Sequence, residues 1–448
     1  MKYSGMLTHF SALLAVILYM SVIHQQTFAA PCPCDIYKDG GAPCVAAYST
    51  ARALYASYNG PLYHVIRMSD RKTTYINTFN AGGVANAADQ DTFLKNTTGK
   101  VDTIFDQSGN KNHLTRGTPG CTVNNPDSLS PASAVITLGG KKVYGLYMSN
   151  GDGYRLGPKG AAGTNVPTGT KPQGLYWVVA GKRYSGQGCC WDFGNAETNN
   201  CYGPTGTMAS LFFGSMSYWG TGTGNGPWLM GDFEGGLFPG GTTASKNYAN
   251  NPTITFDYLT GILKTSSTPS PNYALRYGNA QSGPLKTIYN GAAPTTWKLE
   301  GSIILGIGGD NSNGAGIGNF YEGALTNGYP SDATEDSVQA NIVGVYSGKV
   351  ETSGYHANKA ASATLFEVHY NPIRANAVIS FNLHDTRRVN MDIFDQRGNR
   401  IAAVVHDVIP AGRHEAVWNA KRVPAGVYVC RTAIEGLKGW TGKIVIGK

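Results

Sequence analysis

From Leu62 to about Tyr346 the chain never sustains an apolar run for longer than a short strand before Gly, Asn, Asp or Pro interrupts it. Runs such as Gly174-Leu175-Tyr176-Trp177-Val178-Val179-Ala180 and Ser302-Ile303-Ile304-Leu305-Gly306-Ile307 read as strands, several of them buried on both faces. Many short strands separated by turn signals, with scarcely any helical periodicity, predict an all-β fold and a β-sandwich as the main domain. The 59 Gly and 26 Tyr fit turns and aromatic surfaces, and apolar aromatic faces are what sugar rings stack on. Two segments break the pattern. Ala46–Tyr58 spaces small and apolar residues at near-helical intervals before Asn59-Gly60-Pro61, and Val338–Tyr346 predicts a closing helix.

At 448 residues the chain is too long for one ordinary domain. Residues 1–29 read as a signal peptide, with Lys2, the apolar stretch Leu13–Leu18 and small residues before Ala30. Residues 30–347 form the main domain, 348–363 a polar linker and 364–448 a tail. In the tail Ala377, Ile379, Phe381 and Leu383 alternate, as do Val389, Met391 and Ile393. Seven short strands of this kind predict a second, smaller immunoglobulin-like β-sandwich. The net charge of +8 is concentrated here, with 12 Lys and Arg against 7 Asp and Glu from Ala361 onward. No basic run or basic–aromatic stripe accompanies it, so no nucleic-acid partner is expected. The 9 His show no metal-ligand spacing, so neither a metal nor a cofactor is expected.

An exported chain with 8 Cys should form disulfides. Cys34 and Cys44 flank the turn Asp39-Gly40-Gly41 and make a local staple. Cys189 and Cys190 are adjacent; they can bond to each other, or separately to partners such as Cys121 and Cys201, and spacing leaves both open.

Acidic residues are sparse in the main domain. In Gly231-Asp232-Phe233-Glu234-Gly235-Gly236, a strand would point Asp232 and Glu234 to one face. Two close carboxylates repel unless a ligand or proton joins them, which makes them costly in a purely structural role. A second site, Gly308-Gly309-Asp310-Asn311-Ser312, follows a buried strand. Glycoside hydrolysis needs two carboxyl groups around the anomeric carbon. Spacing alone does not single out Glu234 and Asp310, because Asp310 also reads as a loop residue capping nearby N–H groups, and Glu197 and Glu322 remain candidates for the acid/base.

The motifs Cys34-Asp35-Ile36-Tyr37, Cys189-Cys190-Trp191-Asp192-Phe193-Gly194-Asn195-Ala196-Glu197, Tyr218-Trp219-Gly220-Thr221-Gly222, the two acidic segments and Gly328-Tyr329-Pro330-Ser331-Asp332 occur in one order. Together they resemble glycoside hydrolase family 54, the α-L-arabinofuranosidases. The resemblance implies an exo-acting, retaining α-L-arabinofuranosidase that removes arabinose from arabinan, arabinoxylan or related cell-wall side chains. It implies Glu234 as nucleophile, Asp310 as acid/base, and Cys189–Cys190 as a vicinal disulfide lining the sugar pocket. Trp219 would stack on the sugar, Asp232 would accept its hydroxyls, and Gly235, Gly236 and Gly309 would supply further contacts. Gly235 departs from the family, which commonly has Asn there. The tail motifs Ile393-Phe394-Asp395-Gln396-Arg397-Gly398, Trp418-Asn419-Ala420 and Val423-Pro424-Ala425-Gly426-Val427-Tyr428 resemble the C-terminal sorting domains of bacterial type IX secretion and FlgD-like immunoglobulin modules. That resemblance implies outer-membrane secretion machinery as a partner and secretion from, or attachment to, a Gram-negative cell; the chain is expected to be a monomer.

Overall fold

A computed structural model of the chain describes residues 31–121, 128–157, 160–186, 188–312, 314, 316–347, 366–371, 376–383, 386–410, 412–421, 423–435 and 440–446. The predicted signal peptide and linker lie outside these residues. Among them the main domain is built from two large sheets. One has eight strands, in the order Ser282–Ala292, Asn272–Asn279, Tyr258–Ser266, Gln173–Ala180, Gly318–Asn327, Lys141–Met148 and Ala132–Leu138, with Cys44–Ser49 also paired to Gly318–Asn327. The other has ten, in the order Leu237–Phe238, Trp228–Asp232, Ala209–Gly214, Asp192–Ala196, Ser302–Leu305, Tyr154–Leu156, Leu114–Arg116, Gly99–Ile104, Pro61–Arg67 and Thr73–Asn77.

The sheets face each other across a continuous apolar core, as a sandwich requires. Trp177 of the first sheet stacks on Phe193 of the second, with ring centroids 6.3 Å apart, and lies 5.5 Å from Trp191. These three side chains are fully buried. Gln173–Ala180 is buried along its whole length, as its unbroken apolar run predicts. The closing helix spans Asp332–Tyr346 and is capped by Ser331, whose Oγ accepts the Thr334 N–H at 3.1 Å.

The expected helix over Ala46–Tyr58 does not form. Cys44–Ser49 is a strand in which every residue is buried, followed by irregular chain. A strand covered on both faces needs no polar alternation, and its small residues imitated helical spacing. Cys34 and Cys44 are joined across the turn, and Cys121 is joined to Cys201. Neither of the last two has a partner legible from spacing.

Glu322 is fully buried in the core rather than in a cleft. Its carboxylate receives Arg52 Nε at 2.6 Å, Arg52 Nη2 at 2.7 Å, the Tyr346 hydroxyl at 3.0 Å and the Tyr176 hydroxyl at 3.3 Å. Arg52 Nη1 also donates to Asn341 Oδ1 at 2.8 Å, so the pair fastens the edge of the core to the closing helix. Removing one partner would strand the other as an uncompensated buried charge. Glu322→Ala is therefore expected to destabilise the fold by about 3–5 kcal/mol, read as a fall in the midpoint of chemical unfolding.

Among the described residues the tail has seven strands in two further sheets. Phe366–Asn371, Asn376–Leu383 and Gly412–Asn419 form one sheet; Arg400–Ile409, Arg387–Phe394, Gly426–Ile434 and Trp440–Ile446 form the other. Ala377, Ile379, Phe381, Leu383, Val389, Met391 and Ile393 all point into one core with Trp418 and Tyr428. The period-two pattern thus gives the smaller β-sandwich.

Candidate active site

The register of the ten-stranded sheet sorts its side chains by face. Asp192 pairs with Phe212, Gly194 with Ser210, Ser210 with Asp232 and Phe212 with Met230. These residues therefore share one face, and the alternate set, Phe193, Leu211, Phe213 and Leu229, enters the main core. On the outer face Phe212, Met230, Trp228, Met216 and Leu237 make a small apolar cluster, against which Cys189 and Trp219 pack. The carboxyl groups gather beside this cluster, on the outer face and not between the sheets.

Asp232 and Glu234 do not share the face of a strand, as the two-residue spacing predicts. The strand ends at Asp232, and Phe233 turns into the core, its ring 4.9 Å from those of Phe238, Tyr273 and Trp297. Glu234 then adopts φ +63°, a left-handed conformation that a non-glycine residue holds only at some cost. The anchored Phe233 ring on one side and the Glu234 N–H bonded to Asp232 Oδ1 at 3.1 Å on the other fix the turn. Gly235 (φ +73°) and Gly236 (φ +129°) continue it where side chains would be strained. A β-carbon on Gly235 would lie 2.7 Å from Thr205 Oγ1, and one on Gly236 would lie 3.5 Å from the Trp219 ring. Trp219 thus stands beside the turn, in edge contact with the exposed Tyr218.

Asp310 reaches the same place from the loop after Ser302–Leu305. It is half-buried, and its Oδ1 accepts the Ser312 N–H at 2.9 Å and the Ser312 hydroxyl. The loop-capping role is therefore present as well as the position in the cleft. Gly308 and Gly309 let the loop approach closely. A β-carbon on Gly308 would lie 3.0 Å from Cys190 Sγ and 3.3 Å from Asp310 Oδ1, and one on Gly309 would collide with Glu197 and lie 2.9 Å from Glu234 Oε1. Cys189 and Cys190 are joined to each other, and Cys190 Sγ lies 3.9 Å from Asp232 Oδ2. The adjacent pair forms an apolar wall next to the acids. A cysteine pair so bonded has no thiolate to offer a metal, although its sulfurs cluster with Asp192 and Asp232.

Two participants, Arg155 and Asp192, are not singled out in the sequence, and a third, Glu197, stands there only as an alternative acid/base. Arg155, nearly fully buried, donates from Nη1 to the Gly309 carbonyl at 2.9 Å and to Asn311 Oδ1 at 2.5 Å, and from Nη2 to the Glu197 carbonyl. It fastens the Asp310 loop to the strand end that carries Glu197. Asp192 is fully buried beside Asp232, and Glu197 is fully buried beside Glu234. Arg155 and Asp192 come from strands distant in sequence, which local pattern cannot bring together.

Burial dominates the electrostatics of this cluster. It pushes Glu234 up to about 10, with Glu197, Asp232 and Asp310 adding repulsion, and Asp232 up to about 7. Burial, then the neighbouring acids, holds Asp192 well above the usual carboxylate range, and burial raises Glu197 too. Folded-state values above the unfolded ones mean that the folded chain keeps protons the unfolded chain releases. The cluster therefore costs stability as pH rises past the ordinary carboxylate range, which is the mark of groups gathered for work on a ligand. A shallow depression of about 420 Å³ elsewhere, lined by Tyr147, Arg183, Asp257 and Tyr258, has one carboxylate, and Lys182 pairs with it at 2.6 Å. It offers no comparable chemistry.

Residues 33–347 match the family described as alpha-L-arabinofuranosidase B, catalytic. The alpha-L-arabinofuranosidase B of Emericella nidulans is 52% identical over 324 residues, covering 69% of this chain and 61% of that enzyme. A crystal structure of a GH54 α-L-arabinofuranosidase soaked with a cyclic sulfate inhibitor is 41% identical, with a TM-score of 0.66 over 80% of this chain and 73% of that one. An arabinofuranosidase complexed with arabinofuranosyl-α-1,2-xylobiose is 40% identical, also with a TM-score of 0.66, over 82% of this chain and 75% of that one. The chain spans about two thirds of the length of the curated relatives it matches. Those relatives come from Aspergillus, Emericella, Hypocrea and Trichoderma, all fungi. This overturns the type IX reading of the tail. With these fungal relatives, neither the outer-membrane machinery as partner nor a Gram-negative cell surface as location is retained. The strand alternation that suggested a sorting module is shared by immunoglobulin-like sandwiches in general.

Proposed function

The chain belongs to the α-L-arabinofuranosidase B catalytic family and is an exo-acting glycoside hydrolase of that type, and we propose that it works by double displacement with Glu234 as nucleophile and Asp310 as acid/base. One observation carries the assignment. Asp310 directly follows Gly309, over whose missing side chain Glu234 Oε1 lies, and the two carboxyls are near enough for the Asp310 charge to raise Glu234. A retaining enzyme needs its two carboxyls about 5–5.5 Å apart, with no room for a water between nucleophile and sugar.

In the first step Glu234 attacks the anomeric carbon while Asp310 gives its proton to the leaving oxygen. In the second, Asp310 takes a proton from water, which displaces Glu234 and releases arabinose with its configuration retained. Asp232 accepts hydroxyl protons of the furanose, Trp219 and the Cys189–Cys190 wall bound its apolar faces, and backbone at Gly235, Gly236 and Gly309 lies within reach of its edges. Gly235 provides no side-chain hydrogen bond, and the Thr205 hydroxyl stands in that space instead. The substrates are arabinofuranosyl side chains of arabinan or arabinoxylan. A panel of 4-nitrophenyl glycosides tests the specificity. The α-L-arabinofuranoside is expected to exceed the β-D-xylopyranoside and the β-D-galactofuranoside by at least about 100-fold in kcat/KM, since a pocket that hydrogen-bonds its sugar rejects mismatched hydroxyl patterns strongly. Equal turnover of the xyloside, or binding of arabinose without turnover, would contradict the reading.

A further inference from the structure

The double displacement uses Glu234, Asp310 and Asp232, and leaves Glu197 without a task. Glu197 follows the strand Asp192–Ala196, is fully buried, and is held firmly. The Thr207 hydroxyl bonds its Oε1, and Arg155 grips its carbonyl. Its Oε2 meets no donor among the described residues and points into the space over Gly309 that Glu234 Oε1 also borders. Two buried carboxyls converging on one glycine cannot both stay ionised, so the pair holds a proton between them.

The groups facing this pair are acidic on every side. Asp232 lies on the strand leading to Glu234, Asp310 on the opposing loop, Asp192 at the other end of the Glu197 strand, and Glu300 just before Ser302–Leu305. The nearby cation, Arg155, bonds the carbonyls of Glu197 and Gly309 and the amide of Asn311. Glu234 must be an anion to attack carbon. At rest burial and these acidic neighbours favour the proton on Glu234, so attack requires the shared proton to pass to Glu197 Oε2.

We propose that Glu197 is a positioning residue that carries the proton of the pair on Oε2 and donates it as a hydrogen bond to Glu234, keeping the nucleophile ionised and aimed at the anomeric carbon. The proton is not consumed. When Glu234 forms the ester, the leaving group takes its proton from Asp310, and the Glu197 proton bonds the ester carbonyl oxygen until water restores the carboxylate. This rests on Glu234 as nucleophile.

Inactivation by an arabinofuranose cyclic sulfate tests it, because this electrophile needs an ionised nucleophile and no acid. Glu197→Ala removes the donor, and inactivation at neutral pH should slow on the order of 10- to 100-fold, with its acid limb displaced to higher pH. KM for 4-nitrophenyl α-L-arabinofuranoside should hold within about twofold, because Glu197 does not touch the sugar. Glu197→Gln, which retains an N–H donor, should restore most of the rate and the original acid limb. Should the alanine variant not fold, Glu197→Met fills the same volume without a donor. The proposal is overturned if the donor-less variant is inactivated as fast as the wild type with the same pH dependence, or if Glu197→Gln is as slow as it. Mapping the labelled peptide separates the two readings, since an adduct away from Glu234 would overturn the nucleophile assignment itself.

Discussion

Glu234→Gln is expected to lower kcat for 4-nitrophenyl α-L-arabinofuranoside by at least about 10⁴-fold, with the fold intact. The amide matches the carboxylate in shape but cannot form the arabinosyl ester, and loss of a covalent nucleophile is among the largest single effects in enzymes. An activated leaving group gives no escape, because the missing bond is made at carbon rather than at the departing oxygen. Stability should move the other way. Glu234 is raised to about 10 by burial and by three acidic neighbours, so at neutral pH the folded chain bears a cost that the neutral amide relieves. The variant should therefore unfold at a higher temperature than the wild type at pH 7, and the difference should shrink below pH 4, where the carboxyl is protonated in both states. Lost activity accompanied by lost stability would instead mark Glu234 as structural.

Asp310→Asn should produce a different kinetic pattern. General acid–base catalysis contributes about 10²- to 10⁴-fold, and both steps draw on it when the leaving group is a sugar. Release of arabinose from a polymer side chain should fall by that factor. With 4-nitrophenolate, which leaves without protonation, the first step is largely spared and the second is not. The expected result is a burst of nitrophenolate, an accumulated arabinosyl-enzyme and a lowered KM. Azide, which needs no base, should restore turnover and yield the azide in the substrate's own configuration. Failure of azide to rescue would place the acid/base elsewhere. Glu197 is the nearby alternative; Glu322 is spent on Arg52 in the core.

The sandwich was legible because strands buried on one or both faces leave direct marks: the unbroken run at Leu175–Ala180 and the alternation at Val389, Met391 and Ile393. The strand Cys44–Ser49 imitates the start of a helix from Ala46 onward because burial on both faces erases the alternation that would identify it. Asp232 and Glu234 were expected to sit close together, but by strand geometry, whereas the chain achieves it with a left-handed turn pinned by Phe233. Backbone sign at a single non-glycine residue leaves no pattern to read. Arg155, Asp192 and Glu197 act through neighbours from other strands, and that kind of contact is written only in the tertiary fold. The tail shows the opposite hazard: a correct reading of a small β-sandwich carried with it an export route that the fold alone does not specify.

The central claim is that Glu234 becomes covalently bound to arabinose. Incubating the Asp310→Asn variant with 4-nitrophenyl α-L-arabinofuranoside, quenching in acid and mapping peptides by mass spectrometry measures this directly. The account predicts one arabinosyl unit on the peptide containing Gly231-Asp232-Phe233-Glu234, fragmenting to Glu234. A pentosyl adduct on Asp310's own peptide, on Glu197 or on Asp232, or turnover of wild type with inversion at the anomeric carbon, would contradict it.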